Sequence, residues 1–240
     1  VPPSLGNIIP LQVLMLQSNE LYGSIPGTLG DLTDLQWLDL SRNMLNGSIP
    51  DNLFNALDNL GVFLVFNNHI TGTIPSNVSR LSNLTLFNVH NNSLEGNIPS
   101  FTASNASLTT LTLSFNVFTG TFPLFLFNTT ALYFLNLNHN LLDGELPDLF
   151  SGSMALGVLN IGANLFEGPL PPSFCTVTSL SSVDLSYNRL NGPLLDCLGD
   201  LTNIKGFVFS ETFFTGTIPQ TVSKWQRLNS FIAINTMFYG

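Results

Sequence analysis

Ten glycines stand almost evenly spaced along the chain, and that register constrains the fold more than any other feature. They are Gly23, Gly47, Gly72, Gly96, Gly120, Gly144, Gly168, Gly192, Gly216 and Gly240. Eight of the nine intervals are 24 residues, and one, Gly47 to Gly72, is 25. Each glycine follows a polar residue and an apolar one, as in Asn19-Glu20-Leu21-Tyr22-Gly23, continuing to Ile25-Pro26. The Asn position returns at Asn43, Asn68, Asn92, Asn116, Asn140, Asn164 and Asn188, then passes to Thr212 and Thr236. A unit of this length cannot bury its own apolar face, so a period of this kind means copies stacked on one another.

Within each repeat the residue types assign the local structure. Upstream of the Asn runs Leu-x-x-Leu-x-Leu-x-x-Asn, as at Leu132, Leu135, Leu137 and Asn140. The alternation of the last two leucines describes a short strand with one face buried. The Asn turns the chain, and its amide is suited to bond the backbone of the neighbouring coil. A hydroxyl at Thr212 and Thr236 replaces that amide, so the ladder is expected to weaken toward the C-terminus. The glycine and the Pro that follows describe a second extended segment with a bend. The remainder, such as Leu29 and Leu32, has apolar residues three apart, which suits a 3₁₀ turn or a short helix on the outer side. The expected fold is a repeat solenoid of about ten 24-residue coils. It has a parallel concave β-sheet, a second short β segment, and 3₁₀ turns or short helices on the convex side. The extra residue near Asn52–Asp58 is expected to make only a local bulge.

The string Leu-x-x-Leu-x-Leu-x-x-Asn-x-Leu-x-Gly-x-Ile-Pro resembles the 24-residue, plant-specific class of leucine-rich repeats. This class is known from receptor-kinase ectodomains, polygalacturonase-inhibiting proteins and microbial secreted proteins. The resemblance covers essentially the whole chain and implies the α/β-type solenoid, an extracellular location and recognition through the concave face. Members usually carry paired-cysteine caps, and this chain has none. It opens and closes mid-repeat, so residues 1–240 are expected to be one solenoid, a segment of a longer array lacking both caps. Self-association through the uncapped ends is the other expectation, because raw ends expose apolar residues and strand edges. No insertion interrupts the repeats, so the small-molecule pocket of the steroid-binding receptors is not expected.

Charge narrows the partners. Fifteen acids against six basic residues leave a net charge of −9, and only 9% of residues are charged. Nucleic acid and anionic lipid need a clustered positive field, so neither is an expected partner. No apolar run approaches the roughly 20 residues that span a bilayer, so no membrane insertion is expected within this segment.

Catalytic chemistry is not evident. Of His69, His90 and His139, only the last two project near the strand face. The strand-face acids Asp39 and Asp184 each lie two coils from the nearest of these, about 10 Å by strand spacing. A base and its orienting acid must be within hydrogen-bond reach. No His/Cys/Asp cluster has metal-ligand spacing, and Asp143, Glu145 and Glu167 read as solvated acids. The chain is expected to be no enzyme and to use no cofactor or metal. Cys175 and Cys197 fall on the outer side of adjacent coils, two positions out of register. A disulfide and two buried thiols both remain open.

The concave face carries the candidate contacts. They are Trp37, Asp39, Arg42, Leu64, Phe66, His90, Phe115, Tyr133, Phe134, His139, Asp184 and Tyr187. Aromatics mixed with Asn and Ser, with little Lys, resemble a surface for a protein, peptide or glycan ligand. Val62, Leu64 and Phe66 are expected to form an exposed apolar patch, as are Ile232 and Ile234. Sequons occur at Asn46, Asn77, Asn83, Asn91, Asn105 and Asn128. Those at Asn77, Asn83, Asn105 and Asn128 fall in the outer segment, where glycans would leave the concave face free. Thr-Gly-Thr at Thr71–Thr73, Thr119–Thr121 and Thr215–Thr217 invites an ice-binding reading. The three are not in consecutive coils, however, and the repeat itself explains them. The leading reading is an extracellular, non-catalytic recognition module. Behind it stand a structural or adhesive wall component and an inhibitor of a secreted polysaccharide hydrolase.

Overall fold

The computed structural model describes residues 1–101, 107–150 and 155–239. They form two compact units, Val1–Phe118 and Thr119–Gly240. Both are repeat solenoids built from the same coil.

In the first unit the strands Val13–Met15, Trp37–Asp39, Val62–Leu64, Leu86–Asn88 and Thr110–Thr112 lie parallel, each beside the next in sequence. Their central residues Leu14, Leu38, Phe63, Phe87 and Leu111 are in register and buried, as period-two alternation requires. Tyr22–Gly23 pairs with Met44–Leu45, and Thr71–Gly72 with Ser93–Asn97, on the second flank. Short 3₁₀ turns at Pro3–Asn7, Gly27–Asp31 and Ser76–Arg80 close the outer side. Each begins just after a proline-terminated extended segment.

The 25-residue interval departs from this plan. Residues 51–59 form a run of turns and bends where the neighbouring coils have a 3₁₀ turn. The extra length lets Phe54 reach the core, where its ring packs edge-on against Phe63 at 5.2 Å. Phe63 stacks on Phe87 at 5.1 Å, and Phe87 meets Phe101 at 5.2 Å. The phenylalanines thus replace leucine as a continuous row through several coils.

The second unit repeats the arrangement with Phe134–Asn136, Val158–Asn160, Ser182–Asp184, Gly206–Val208 and Ser230–Ile232. Its second flank runs through Leu141–Glu145, Leu165–Gly168, Arg189–Pro193, Phe213–Gly216 and Met237–Phe238. The outer side holds 3₁₀ turns at Leu124–Asn128, Pro172–Thr176, Asp196–Asp200 and Gln220–Lys224. Among the described residues the outer segments contain 3₁₀ turns and no α-helix. Cys175 and Cys197 sit in two successive outer turns and are joined by a disulfide, with Cα atoms 5.6 Å apart.

The repeated asparagine holds the coils together. Asn164 Nδ2 donates to the Leu137 carbonyl of the preceding coil and to Ile161 and Gly162 of its own, at 3.0, 3.0 and 3.2 Å. Its Oδ1 accepts the Leu142 N–H at 3.1 Å. Asn43, Asn68, Asn92, Asn116 and Asn188 make the same set. All these groups lie at low exposure, where an unpaired one is costly. At Thr212 the hydroxyl donates only to the Phe209 carbonyl of its own coil. The ladder therefore does weaken there.

Two backbone positions per coil bend to positive φ. One is the repeated glycine, as at Gly168, with φ 76°. The other precedes the ladder residue and is never glycine: Ser18, Arg42, Asn67, Asn91 and Phe115 in the first unit, then His139, Ala163, Tyr187, Glu211 and Asn235 in the second. Left-handed backbone at a non-glycine residue costs roughly 1–2 kcal/mol, and the ladder bonds beside it supply the constraint that holds it.

Asn164→Ala removes one of two hydrogen bonds from each of the Leu137, Ile161 and Gly162 carbonyls and leaves the buried Leu142 N–H without a partner. It should destabilise the second unit by about 3 kcal/mol, measured by chemical denaturation; a change below about 1 kcal/mol contradicts the ladder's role. Reducing the Cys175–Cys197 bridge, which closes a loop of 22 residues, should cost about 3 kcal/mol on the chain-entropy model. An unchanged denaturation midpoint in reductant contradicts it.

Candidate functional site

The outward strand positions form columns. In the first unit they bring the candidate residues into a mixed row rather than a pocket. Arg42 is exposed and lays its guanidinium over the half-buried Phe66 ring, 5.7 Å from its centroid. Asn91 Nδ2 donates to Asn67 Oδ1 at 3.0 Å in the preceding coil. His90 Nδ1 lies 2.8 Å from Ser114 Oγ, and its ring meets the exposed Phe115 ring edge-on at 5.3 Å. Burial holds the His90 pKa below the ordinary histidine value, and a hydrogen bond with Ser114 partly offsets that.

Asp39 is buried in this row, at 7% exposure. Its Oδ1 accepts the Ser41 N–H at 3.0 Å and the Ser41 hydroxyl at 2.6 Å, which closes the turn after the strand. Trp37 is half-buried, and its indole N–H is enclosed with no hydrogen-bond partner. The apolar patch expected at Val62, Leu64 and Phe66 is not fully exposed. Val62 is buried and the other two are half-buried, because Trp37 and Leu86 flank Val62 in register on either side.

The second unit has a concave site. A cavity of about 280 Å³ opens on the strand face, lined by Asn138, His139, Gly162, Ala163, Asp184, Ser186, Tyr187, Val208, Ser210, Glu211 and Ile234. His139, Asp184 and Tyr187 come from the candidate set and share this one cavity. Coil spacing places His139 and Asp184 well apart, but a cavity wall can collect groups that do not touch. Tyr187 is 62% exposed and stands up from its left-handed backbone position, as His139 does on the opposite side of Ala163.

Gly162 and Ala163 make the space. They are the smallest residues in their two columns, between Asn138–His139 and Ser186–Tyr187. Small residues carry no chemistry to read, so sequence reasoning passed over this coil. Ser210 and Glu211 of the ninth coil were missed as well. Asp184 Oδ1 accepts the Ser186 N–H at 2.9 Å, the same turn that Asn136 and Asn160 make with Asn138 and Gly162. Tyr133 and Phe134 lie outside the cavity. Tyr133 is exposed with its ring edge over Gly157, where a Cβ would come within 2.2 Å. Phe134 is half-buried. Ile232 and Ile234 are exposed, at 39% and 60%.

The sequons divide by environment. Asn46 and Asn128 are exposed. Asn77 is half-buried, and its Nδ2 donates to Asp51 O and Asn55 Oδ1, both at 2.7 Å. Nδ2 of Asn83 donates to Asp58 O at 3.0 Å, and that of Asn91 is engaged with Asn67. Asn105 lies outside the described residues.

Comparison with known proteins gives the class and then the family. The leucine-rich-repeat family model matches residues 34–56, 131–153 and 179–201. The plant peptide hormone receptor RGFR1, solved in complex with RGF2, is 32% identical, with TM-score 0.96 over 99% of this chain and 38% of that one. The leucine-rich-repeat ectodomain of the Arabidopsis receptor kinase HAESA, in complex with an N-terminally extended IDA peptide hormone, is 30% identical. Its TM-score is 0.92 over 99% of this chain and 40% of that one. A plant ice-binding protein is 26% identical, with TM-score 0.76 over 99% of this chain and 79% of that one. No curated protein matches the sequence significantly. The fold is the leucine-rich-repeat solenoid. The chain is a leucine-rich-repeat protein of the plant type, and it spans about two fifths of the receptor ectodomains it matches.

His90 supplies a pH test of the first unit. Its folded pKa is depressed, so the unfolded chain takes up the proton first as pH falls. The stability it supports is present above the ordinary histidine value and is lost toward the lower folded value. Denaturation midpoints should fall from pH 7.5 to pH 5, and His90→Asn should flatten that slope. An identical slope in the variant contradicts the assignment.

Proposed function

We propose that the chain is an extracellular, non-catalytic recognition module that binds a peptide through its strand face. The observation carrying this reading is the cavity of the second unit. Polar groups on several successive coils converge there, flanked by the protruding His139 and Tyr187 side chains. An extended peptide lying across parallel coils meets one side-chain column per coil, which suits a sheet whose outward residues differ from coil to coil. The solved complexes of RGFR1 and HAESA hold peptide hormones, which supports this choice among protein, peptide and glycan ligands. Arg42, Phe66, His90 and Phe115 make up a surface of the same kind on the first unit, taken by itself.

A disulfide between Cys175 and Cys197 fits an oxidising compartment. Among the exposed sequons, Asn46 and Asn128 suit a glycan better than Asn83 and Asn91, whose Nδ2 groups are hydrogen-bonded. Arg42 is the one basic side chain among the strand-face candidates, which sits poorly with an inhibitor that grips an acidic partner. The ice-binding reading has little support from the second flank. Thr119 and Thr121 there are followed in the next coils by Asp143 and Glu145, then Glu167 and Pro169, which break a flat threonine array.

Peptides selected from a random display library test the reading. Hydrogen exchange on the complex should show protection over residues 136–140, 160–164 and 184–188, and Tyr187→Ala should weaken binding about tenfold or more. Protection confined to the outer 3₁₀ turns contradicts it.

A further inference from the structure

The chemistry of the second-unit cavity is more specific than peptide binding in general. Its charged lining is acidic, with Asp184 and Glu211, and no Lys or Arg reaches it. Asp184 spends one oxygen, Oδ1, on the Ser186 N–H. Its Oδ2 has no partner among the described residues. The Asn138 Oδ1 is enclosed in the wall and accepts no hydrogen bond. The carboxylate and the orphaned amide oxygen are both acceptors, and no Lys or Arg lines the cavity to balance the carboxylate charge. Such a site is completed by a ligand that brings several N–H groups and a positive charge.

The shape points the same way. A Cβ on Gly162 would lie 3.2 Å from Asp184 Oδ1, so the missing side chain opens the approach to the carboxylate. His139 and Tyr187 stand on either side of the small Gly162–Ala163 pair, two coils apart. At coil spacing that is a slot on the order of 10 Å wide between backbones. A flat group fits there with its face toward an aromatic ring. Guanidinium is planar, stacks on tyrosine and forks to a carboxylate, whereas ammonium is a compact point charge.

We propose that this cavity is the seat of an arginine side chain of the bound peptide. The guanidinium passes over Gly162 to Asp184 Oδ2, with its face against Tyr187. Glu211, held by the Asn235 amide of the next coil, adds negative field at the rim. This assignment rests on the peptide reading above and names the side chain that reading leaves open.

A positional-scanning library of N-acetylated, C-amidated hexapeptides tests it, together with matched peptides in which arginine is replaced by citrulline. Citrulline keeps the shape and removes the charge. Wild-type protein should enrich arginine at one position, and the citrulline peptide should bind at least tenfold more weakly. Asp184→Asn should abolish that difference. The variant keeps the acceptor for the Ser186 N–H, as Asn136 and Asn160 do in the neighbouring coils, so it should fold. Gly162→Ser, which fills the approach, should lower arginine-peptide affinity similarly, measured at a temperature where the denaturation midpoint shows the variant still folded, because its Cβ would press on Asp184 and the Ser186 carbonyl at 3.2–3.3 Å. Peptides bound with no arginine preference, or with a preference that survives Asp184→Asn, overturn the assignment and leave peptide recognition standing. Failure to retain any peptide overturns both. Binding of N-acetylargininamide as tight as that of the peptides would make the cavity a site for a free organic cation and overturn the peptide assignment.

Discussion

In most coils an asparagine amide at low exposure bonds the coil before it and closes its own turn. The rest of the structure depends on that arrangement. The coil's short parallel strands and proline-ended segments leave backbone groups that no neighbouring strand can reach. In an apolar interior each orphan is costly. One amide, with two donors and an acceptor, meets the need of the bend and the inter-coil gap together. A hydroxyl cannot, and at Thr212 the bonding shrinks to the Phe209 carbonyl of the same coil. Apolar packing then completes each unit, with leucine rows giving way locally to the run of Phe54, Phe63, Phe87 and Phe101.

The same bonds have a consequence for display. The residue before each ladder position is held at positive φ, between 50° and 57°. That bend turns its side chain up at the rim of the strand face. Evenly spaced rim positions then carry whatever residue the sequence places there: Arg42 and Phe115 in the first unit, His139, Tyr187 and Glu211 in the second. The scaffold pays backbone strain for a row of rigidly presented side chains. Where the row drops to Ala163, beside Gly162, the surface becomes a cavity.

Much of this was legible in the sequence because repetition multiplies weak signals. One Asn-x-Leu-x-Gly string means little, but ten variants of it in register, eight with Asn and two with Thr, assign strands, bends and outer turns. The ladder and its weakening at Thr212 follow from the number of donors on each side chain. The run of turns at 51–59 was foreseeable only as an extra residue, since nothing in the string shows that Phe54 would fill the core. The site was harder to read. A search for chemistry-bearing residues finds Asp184, His139 and Tyr187 but not Gly162 and Ala163, whose contribution is the volume they leave empty. Asp39 shows the opposite failure: a carboxylate on the right face that its own Ser41 occupies.

Native-state hydrogen exchange at two backbone amides tests the central claim most directly. The Phe166 N–H donates to Asn188 Oδ1. Leu190 holds the equivalent place one coil later, where the facing ladder residue is Thr212. The ladder account predicts that Phe166 exchanges only with global unfolding of the unit and that Leu190 exchanges at least about tenfold faster, a difference of ~1.4 kcal/mol. Equal protection at the two sites would mean that packing alone holds the coils and that the asparagine amides are incidental.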